Sequence, residues 1–311
     1  MKNNILVYGS LAYDRIMDFP GYFKNHILPD KIHNLNVSFN VNGLTTNFGG
    51  TAGNIAYNLS LISQPSTILS LAGYDFGDYE KWLKKNKINT TQIKKVKTQT
   101  ASAYIITDKA DNQIAGFNPG AMAQSLGKLT INILSDCFII ISSGYYKEME
   151  RLANYFIKQK IKYIFDPGQQ ITNLPAKAII SGIAGAQVLI GNDYEIEMIK
   201  QKIKWTSKKL IDKVKTLIIT KGANGSEIYN QGKKIIILSA KAKSVVDPTG
   251  AGDGYRAGII KGMLENWNWL KTGRFASAIA VYAVEKYGTQ KHAFGWKELR
   301  KRYEDNYGER L

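Results

Sequence analysis

The sequence predicts an α/β fold: a mostly parallel central sheet with helices on both faces, and a small β-sheet lid. Two observations lead to this prediction. Short apolar runs alternate with helix-like segments along most of the 311 residues, and two stretches, 13–46 and 98–120, break that alternation. Alternating strands and helices are typical of a parallel sheet covered on both faces, and a chain of this length can bury a substantial core.

The predicted strands are short apolar runs that end at turn residues. They cover Ile5–Tyr8, Thr67–Leu71, Phe138–Ser142, Tyr163–Asp166, Val188–Ile190, Leu217–Thr220 and Lys234–Leu238. The helix-like segments between them cover Thr51–Ile62, Tyr79–Lys85, Lys147–Lys158 and Ile196–Ile203. Because ligands bind beyond the carboxyl ends of such strands, we expect a site where Asp166, Asn192 and Thr220 stand.

The two exceptional stretches predict the lid. The first mixes aromatic and polar residues, and the second contains the run Ala101–Thr107 followed by a turn at Asp108–Asn112. Both patterns favour a small antiparallel sheet. The resulting division assigns residues 1–12, 47–97 and 121–311 to a large α/β nucleotide-binding domain, and residues 13–46 and 98–120 to the lid.

The glycine-rich bend Asp247–Gly254 leads into a helical run of small residues. Gly250 and Gly252 allow a sharp turn and a close approach to a ligand, so that consecutive N–H groups can point at an anion from the helix N-terminus. Asp253 falls in the first turn, where its carboxylate can accept a proton from an attacking hydroxyl. The bend therefore predicts a phosphoryl-transfer site.

Two other glycine-rich motifs do not fit this chain. A P-loop requires a lysine after its last glycine, and the bend has none. A dinucleotide fingerprint requires G-x-G-x-x-G after the first strand, where the chain has Gly9-Ser10-Leu11-Ala12-Tyr13-Asp14.

At these residues the chain resembles the ribokinase (PfkB) family of carbohydrate and nucleoside kinases, and more specifically its adenosine kinase-like branch. Asp247–Asp253 is similar to the family's D-x-T-x-A-G-D signature, and Phe48–Ala56 to its G-G-x-x-x-N segment. The resemblance implies a ribokinase-like fold, ATP as phosphate donor and a lid that closes over the acceptor. It also implies that Asp253 is the catalytic base and that the N–H groups of Gly250, Ala251 and Gly252 hold the transferring phosphoryl group.

Two further segments match the family's nucleotide site. Asn192–Glu195 resembles its N-x-x-E element, in which Glu195 would hold Mg²⁺ through water. A capping box, with Asn192 as the cap, explains the same spacing. Thr220, Gly222 and Gly225 are similar to the family's nucleotide-binding turn.

The resemblance also implies a cation site and an acceptor site. Asp247, Thr249, Ala283 and Gly288 match positions that hold a monovalent cation, for which K⁺ is suited. Asp14, Gly49, Gly50 and Asn54 match the sugar-hydroxyl clamp. A carboxylate and an amide can bind both hydroxyls of a cis-diol, which favours ribose, although Asp14 capping a turn and Asn54 capping a helix are the structural alternatives.

These matches leave three functions open. The preferred one is a kinase of the 5′-hydroxyl of adenosine or a related purine nucleoside, with Phe39, Tyr104 and Phe117 as candidates for the nucleobase slot. A sugar kinase would use the same machinery. A non-enzymatic nucleotide sensor is third, and Asp253 counts against it. A monomer and a homodimer are equally compatible with the sequence.

Composition limits the partners. The net charge is +17, but the lysines form short scattered groups such as Lys84-Lys85, which indicates a solvated surface that attracts ATP and no nucleic-acid partner. No apolar run approaches the roughly 20 residues of a membrane span, and Met1–Asn4 begins no signal peptide, so we expect a cytoplasmic protein without membrane association. The single cysteine, Cys137, excludes a disulfide framework and a cysteine-based metal site, and its apolar run favours a buried thiol.

Overall fold

The computed structural model describes residues 4–129 and 137–311. The sequence predicts that Met1–Asn4 begins no signal peptide, and Met1–Asn3 of this segment lie outside the described residues. Residues 130–136 of the predicted large domain also lie outside them. The described strands are β1 (Asn4–Tyr8), β2 (Ala12–Asp18), β3 (Thr45–Gly49), β4 (Ser66–Ala72), β5 (Ile93–Lys95), β6 (Ala101–Thr107), β7 (Gln113–Asn118), β8 (Cys137–Ile141), β9 (Tyr163–Phe165), β10 (Ala186–Asn192), β11 (Thr216–Thr220), β12 (Ser226–Asn230) and β13 (Lys233–Ile237).

The large sheet has the strand order β13-β12-β11-β10-β9-β8-β1-β4-β5 in the described part of the chain. Its neighbouring strands are parallel from β11 to β5, and only β12 and β13 add antiparallel pairs at one edge. All seven predicted strands fall within this sheet. The prediction of a mostly parallel central sheet is confirmed.

Helices cover both faces of this sheet. The described helices are α1 (Thr51–Leu61), α2 (Gly77–Lys85), α3 (Tyr146–Lys158), α4 (Ala176–Gly185), α5 (Asp193–Ile203), α6 (Ser207–Lys213), α7 (Ala251–Leu264), α8 (Trp269–Val284) and α9 (Trp296–Tyr307). Alternate residues of one strand enter opposite cores: Ile5 and Val7 pack with α1, α2, α7, α8 and α9, whereas Leu6 and Tyr8 pack with α3 to α6. The period of two along a strand explains this division.

The separate small sheet has the order β3-β2-β6-β7. The prediction that it is antiparallel is wrong in one pair, because β2 and β6 run parallel while β2–β3 and β6–β7 are antiparallel. The chain between β2 and β6 includes α1, β4, α2 and β5 of the large body, and this long crossover returns β6 in the same direction as β2.

Two smaller expectations concern the burial of Cys137 and the absence of a membrane span. Cys137 is the first residue of β8 and is half-buried. The thiol is therefore less buried than its apolar run predicts. Among the described residues, no helix has both the length and the hydropathy that crossing a bilayer requires.

Candidate active site

The glycine-rich bend forms the N-terminus of α7. Gly250 is the N-cap residue in a left-handed conformation with φ of +83°, which favours glycine. The N–H of Ala251 donates to the carbonyl of Pro248 at 3.2 Å. Within the described residues, the N–H groups of Gly252 and Asp253 donate to no protein acceptor, as expected in the first turn of a helix. The N–H groups of Gly252 and Asp253 are thus available to an anion, whereas the N–H of Ala251 is bonded within its own loop.

Asp253 is half-buried in the first turn of α7 and accepts a hydrogen bond from Nδ2 of Asn54 at 2.8 Å. Burial raises the pKa of Asp253 to about 7, although the Arg256 guanidinium and the Asn54 hydrogen bond oppose the shift. A carboxylate of this pKa can exchange a proton near neutrality. The structure therefore brings Asn54, predicted for the acceptor clamp, into direct contact with the predicted base.

A buried ion pair, which the sequence analysis did not identify, lies beside Asp253. Nε and Nη2 of Arg256 donate to the two carboxylate oxygens of Asp166, each at 2.5 Å, and Nη1 donates to the carbonyl of Gly252 at 3.0 Å. Asp166 is 2% exposed and Arg256 8%. The fork of Arg256 therefore ties the end of β9 to the glycine-rich bend. In the sequence, the position of Asp166 at the end of a predicted strand indicated a site residue, but nothing there indicated its pairing with Arg256.

Asp14 lies in the middle of β2 on the small sheet, opposite Asn47 of β3. Its carboxylate contacts Gly49 so closely that a Cβ built on that glycine would stand 2.7 Å from Oδ2. Burial, and then the charge of Asp247, raise the pKa of Asp14 to about 6. A mid-strand position excludes the alternative that Asp14 caps a turn.

Gly50 and Asn54 belong to the start of α1. Gly50 is its N-cap with φ of +88°, and a Cβ there would stand 2.5 Å from the carbonyl oxygen of Ser10. Asn54 lies one turn inside the helix, so the alternative that it caps α1 is wrong. The hydroxyl of Tyr79 donates to the carbonyl of Gly49, and burial raises the pKa of Tyr79, with the charges of Asp14 and Asp253 raising it further. Tyr79 therefore lies close to both carboxylates.

Asn192 and Glu195 form the capping box of α5. The Asn192 side chain accepts from the Glu195 N–H at 2.7 Å, and Oε2 of Glu195 accepts from the Asn192 N–H at 2.8 Å. Burial raises the pKa of Glu195, as does the charge of Asp166, while Arg256 lowers it. The local role is thus structural, and the carboxylate still lies near the ion pair beside Asp253.

The predicted nucleotide-binding turn follows β11. Thr220 pairs in register with Asn192, which brings these two predicted sites to one edge of the sheet. Gly222 begins a short 3₁₀ turn, and Gly225 ends it with its carbonyl accepting from the Lys221 N–H at 2.8 Å. The Lys221 ammonium pairs with Glu227 at 2.6 Å.

The predicted cation-site residues converge around Asp247. Its Oδ1 accepts from the Thr249 N–H at 2.9 Å and its Oδ2 from the Gly288 N–H at 3.0 Å. Ala283 lies in the last turn of α8, where its carbonyl accepts from the Lys286 N–H at 3.2 Å. Thr249 and Gly288 are therefore bonded to Asp247, and the Asp247 N–H donates to the carbonyl of Val284, the residue after Ala283, at 3.1 Å. The charge of Asp247 also contributes to the raised pKa of Asp14.

Comparison with known sequences gives one family. The description "pfkB family carbohydrate kinase" belongs to a family model that matches residues 2–293. A nucleoside kinase of Methanocaldococcus jannaschii is 31% identical over 278 residues, which cover 88% of this chain and 91% of that protein. The similarity therefore includes both glycine-containing segments.

Solved structures give the same result. The nucleoside kinase of Burkholderia thailandensis in complex with inosine has a TM-score of 0.87 at 31% identity, with 98% of this chain and 99% of that chain covered. The structure of that kinase with ADP-inosine has a TM-score of 0.85 at 32% identity, with 98% and 97% covered. The likeness extends over nearly the whole of each chain.

Proposed function

The chain belongs to the pfkB family of carbohydrate kinases and is a phosphotransferase with an alcohol acceptor, and from this premise we propose that it phosphorylates the 5′-hydroxyl of a purine nucleoside, such as adenosine, with ATP. Its fold is ribokinase-like. The observation that carries the proposal is the placement of Asp253 beside the free N–H groups of α7 and in hydrogen-bond contact with Asn54 of α1, which is proposed together with Asp14 for the acceptor. Inosine in the Burkholderia kinase supports a nucleoside acceptor.

Asp253 is proposed to take the proton of the 5′-hydroxyl as that oxygen attacks the γ-phosphorus of ATP in line and ADP leaves. The N–H groups of Gly250 and Gly252, with that of Asp253, would stabilise charge on the transferring phosphoryl group. Ala251 can join them if its 3.2 Å bond to Pro248 opens. The α7 dipole favours negative charge at the same place.

The small sheet is proposed as the lid predicted for residues 13–46 and 98–120, although its strands β2 and β3 also include Ala12 and residues 47–49, which the sequence analysis assigned to the large domain. Asp14, Asn54 and the backbone of Gly49 and Gly50 are proposed to bind the ribose hydroxyls. Because Asp14 aligns with Ala103 and Ala103 with Phe117, the Asp14 and Phe117 side chains share one face of this sheet. Phe117 is 53% exposed there and offers a surface for the nucleobase.

The other two candidates for the nucleobase slot are less suited. Tyr104 aligns with Arg15 on the opposite face, where the guanidinium lies 5.8 Å from its ring centroid. Phe39 packs against Phe19 and Phe23 at centroid distances of 4.9 and 5.0 Å. Of the three aromatic residues, we therefore propose Phe117 for contact with the nucleobase.

The residues around Glu195 fit Mg²⁺ bound through water. Oε2 is engaged in the capping box, and Oε1 lies 3.9 Å from where a Cβ on Gly168 would stand. In residues 4–129 and 137–311, no group of three or more His, Cys, Asp and Glu side chains could hold a metal ion. In kinase sites, Mg²⁺ binds one or two carboxylates together with the substrate phosphates. When bound, Mg²⁺ neutralises charge on those phosphates. Asn192, Thr220, Gly222 and Gly225 are proposed to line the nucleotide site.

An ADP-release assay across acceptors tests the proposed function. The panel is adenosine, inosine, guanosine, cytidine, ribose and fructose 6-phosphate, each with ATP and Mg²⁺. We expect the highest kcat/KM for a purine nucleoside. A preference for ribose or fructose 6-phosphate would replace the proposal by a sugar kinase, and no turnover with any acceptor would contradict a kinase activity on these substrates.

Asp14→Ala is expected to raise the acceptor KM by roughly 10- to 100-fold, since hydrogen bonds to a charged group contribute about 1.5–3 kcal/mol. The KM for ATP should stay within a factor of about two, because the lost hydrogen bonds are made to the acceptor and not to ATP. Steady-state kinetics with each substrate varied measure both. Asp18→Ala, an exposed change on the same strand, is the control. Equal losses for ATP and acceptor would contradict the assignment.

The wild-type kcat/KM is expected to fall as the pH is lowered through about 7, the value to which burial raises the pKa of Asp253. The sign follows from the role, because a base must be ionised and protonation below its pKa removes it. A pH–rate profile between pH 5.5 and 9 measures this. An acidic limb near the ordinary aspartate value of about 4 would contradict it.

K⁺ is expected to raise the rate relative to an equal concentration of tetramethylammonium if Asp247, Thr249, Ala283 and Gly288 hold a monovalent cation. The carboxylate and carbonyl oxygens of this cluster suit such an ion, whereas tetramethylammonium offers them no direct coordination because methyl groups surround its charge. Initial rates at constant ionic strength measure the response. Asp247→Asn should reduce it, and equal rates in both salts would remove the site.

A further inference from the structure

A chain of side-chain hydrogen bonds with a buried centre leads from Trp82 of α2 through Asn54 of α1 to Asp253. Nε1 of Trp82 donates to Oε1 of Gln290 at 3.0 Å, Nε2 of Gln290 donates to Oδ1 of Asn54 at 3.0 Å, and Nδ2 of Asn54 donates to Oδ2 of Asp253 at 2.8 Å. We call these four residues the amide relay. Gln290 is 3% exposed and Asn54 5%, so water cannot replace these bonds freely.

The direction of the amide relay is fixed at its far end. An indole N–H can only donate, so the oxygen of the Gln290 amide must face Trp82 and its nitrogen must face Asn54. The hydroxyl of Tyr79 supports this orientation, because it donates to the Gly49 carbonyl and accepts from Nε2 of Gln290 at 2.6 Å. The Asn54 oxygen is then occupied, and its N–H group faces the carboxylate.

We propose that Gln290 is a positioning residue that holds the Asn54 amide with its N–H toward Asp253, and so keeps the Asp253 carboxylate oriented to take the acceptor's proton. The inference rests on the proposed role of Asp253 as base. Without Gln290, Oδ1 of Asn54 loses its buried donor, so the amide is no longer held in place and its N–H bond to the carboxylate weakens.

Several charged and titratable groups face Asp253, and they define what the relay can change. They are Arg256 of α7, Asp166 after β9, Glu195 of α5, and Tyr79 of α2. Among the described side chains, Asn54 is the one that donates a hydrogen bond to Asp253. Its N–H stabilises the ionised carboxylate, so its loss should raise the pKa of Asp253 further.

Gln290→Met tests the proposal, since methionine is of similar length and has no N–H. We expect kcat to fall roughly 10-fold and the acidic limb of the pH profile to move up by about one pH unit, as for one lost hydrogen bond to a charged group. The KM for ATP should not change. Gln64→Met, a buried glutamine that accepts from Lys261 at 3.3 Å, is the matched control.

A double substitution separates positioning from packing. In an Asn54→Ala background, Gln290→Met should cause no further shift of the acidic limb, because the connection to Asp253 is already absent. A shift that persists there would overturn the proposal, as would an unchanged limb in folded Gln290→Met. If Gln290→Met does not fold, Trp82→Phe removes the fixed donor, and an unchanged limb in that variant would overturn the proposal equally.

A titration without substrate distinguishes this inference from the proposed function. The Asp253 carboxyl can be followed by ¹³C NMR in the free enzyme, with its signal assigned by comparison with Asp253→Asn. A higher Asp253 pKa in Gln290→Met supports the relay whichever acceptor the enzyme uses. An unchanged pKa contradicts the relay alone, whereas absence of turnover in the wild type contradicts the proposed function alone.

Discussion

Asp253→Asn is expected to lower kcat by about 10²- to 10⁴-fold, the usual contribution of a positioned general base. The amide is close in size to the carboxylate and can still contact Asn54, but it cannot take a proton from the acceptor hydroxyl. The N–H groups of Gly252 and residue 253 remain in place, so ATP should bind with nearly unchanged affinity. Steady-state kinetics and ATP titration by calorimetry measure the two effects.

The control for this prediction is Asp212→Asn, which removes one negative charge from an exposed position on α6. It should leave kcat unchanged, since net charge acts on encounter and not on the proton transfer. Near-normal turnover of Asp253→Asn would exclude the carboxylate as base. A parallel loss of ATP binding would indicate that the bend itself had been disturbed.

Arg256→Met is expected to destabilise the fold by about 3–5 kcal/mol, because removing one partner of a buried ion pair leaves the other charge without compensation. The orphaned group is Asp166, which is 2% exposed and receives two hydrogen bonds from Arg256. The Gly252 carbonyl loses its donor as well. Urea unfolding followed by circular dichroism measures the change, with the midpoint expected to fall at an unchanged slope.

A matched pair of variants identifies the cause. Arg310→Met removes an exposed arginine and should change stability by less than about 0.5 kcal/mol, as surface substitutions usually do. Adding Asp166→Asn to Arg256→Met should recover part of the loss, because the uncompensated charge is gone. If the double variant is less stable by the sum of the two single losses, the pair does not act as a unit.

Local patterns were sufficient for seven strands of the large sheet and for α1, α2, α3 and α5, whereas α4, α6, α8 and α9 were not predicted. The apolar runs predicted strands such as β1 and β11, and small-residue and amphipathic segments predicted α1 and α3, because strand and helix periodicity depends on neighbours in sequence. The glycine-rich bend was also identified, since turn residues carry their conformational preference with them. The direction of β6 relative to β2 was not, because it depends on a crossover through the large body.

The sequence by itself determined the family and the residue types at the bend, which short motifs carry, and the α/β fold, which follows from the alternation of strand and helix patterns along the chain. Tertiary structure decided which side chains meet. Asn54 lies 199 residues from Asp253, Gln290 lies 236 from Asn54, and Arg256 lies 90 from Asp166. Such contacts arise only when helices and strand ends pack, and burial then makes each of these hydrogen bonds costly to lose.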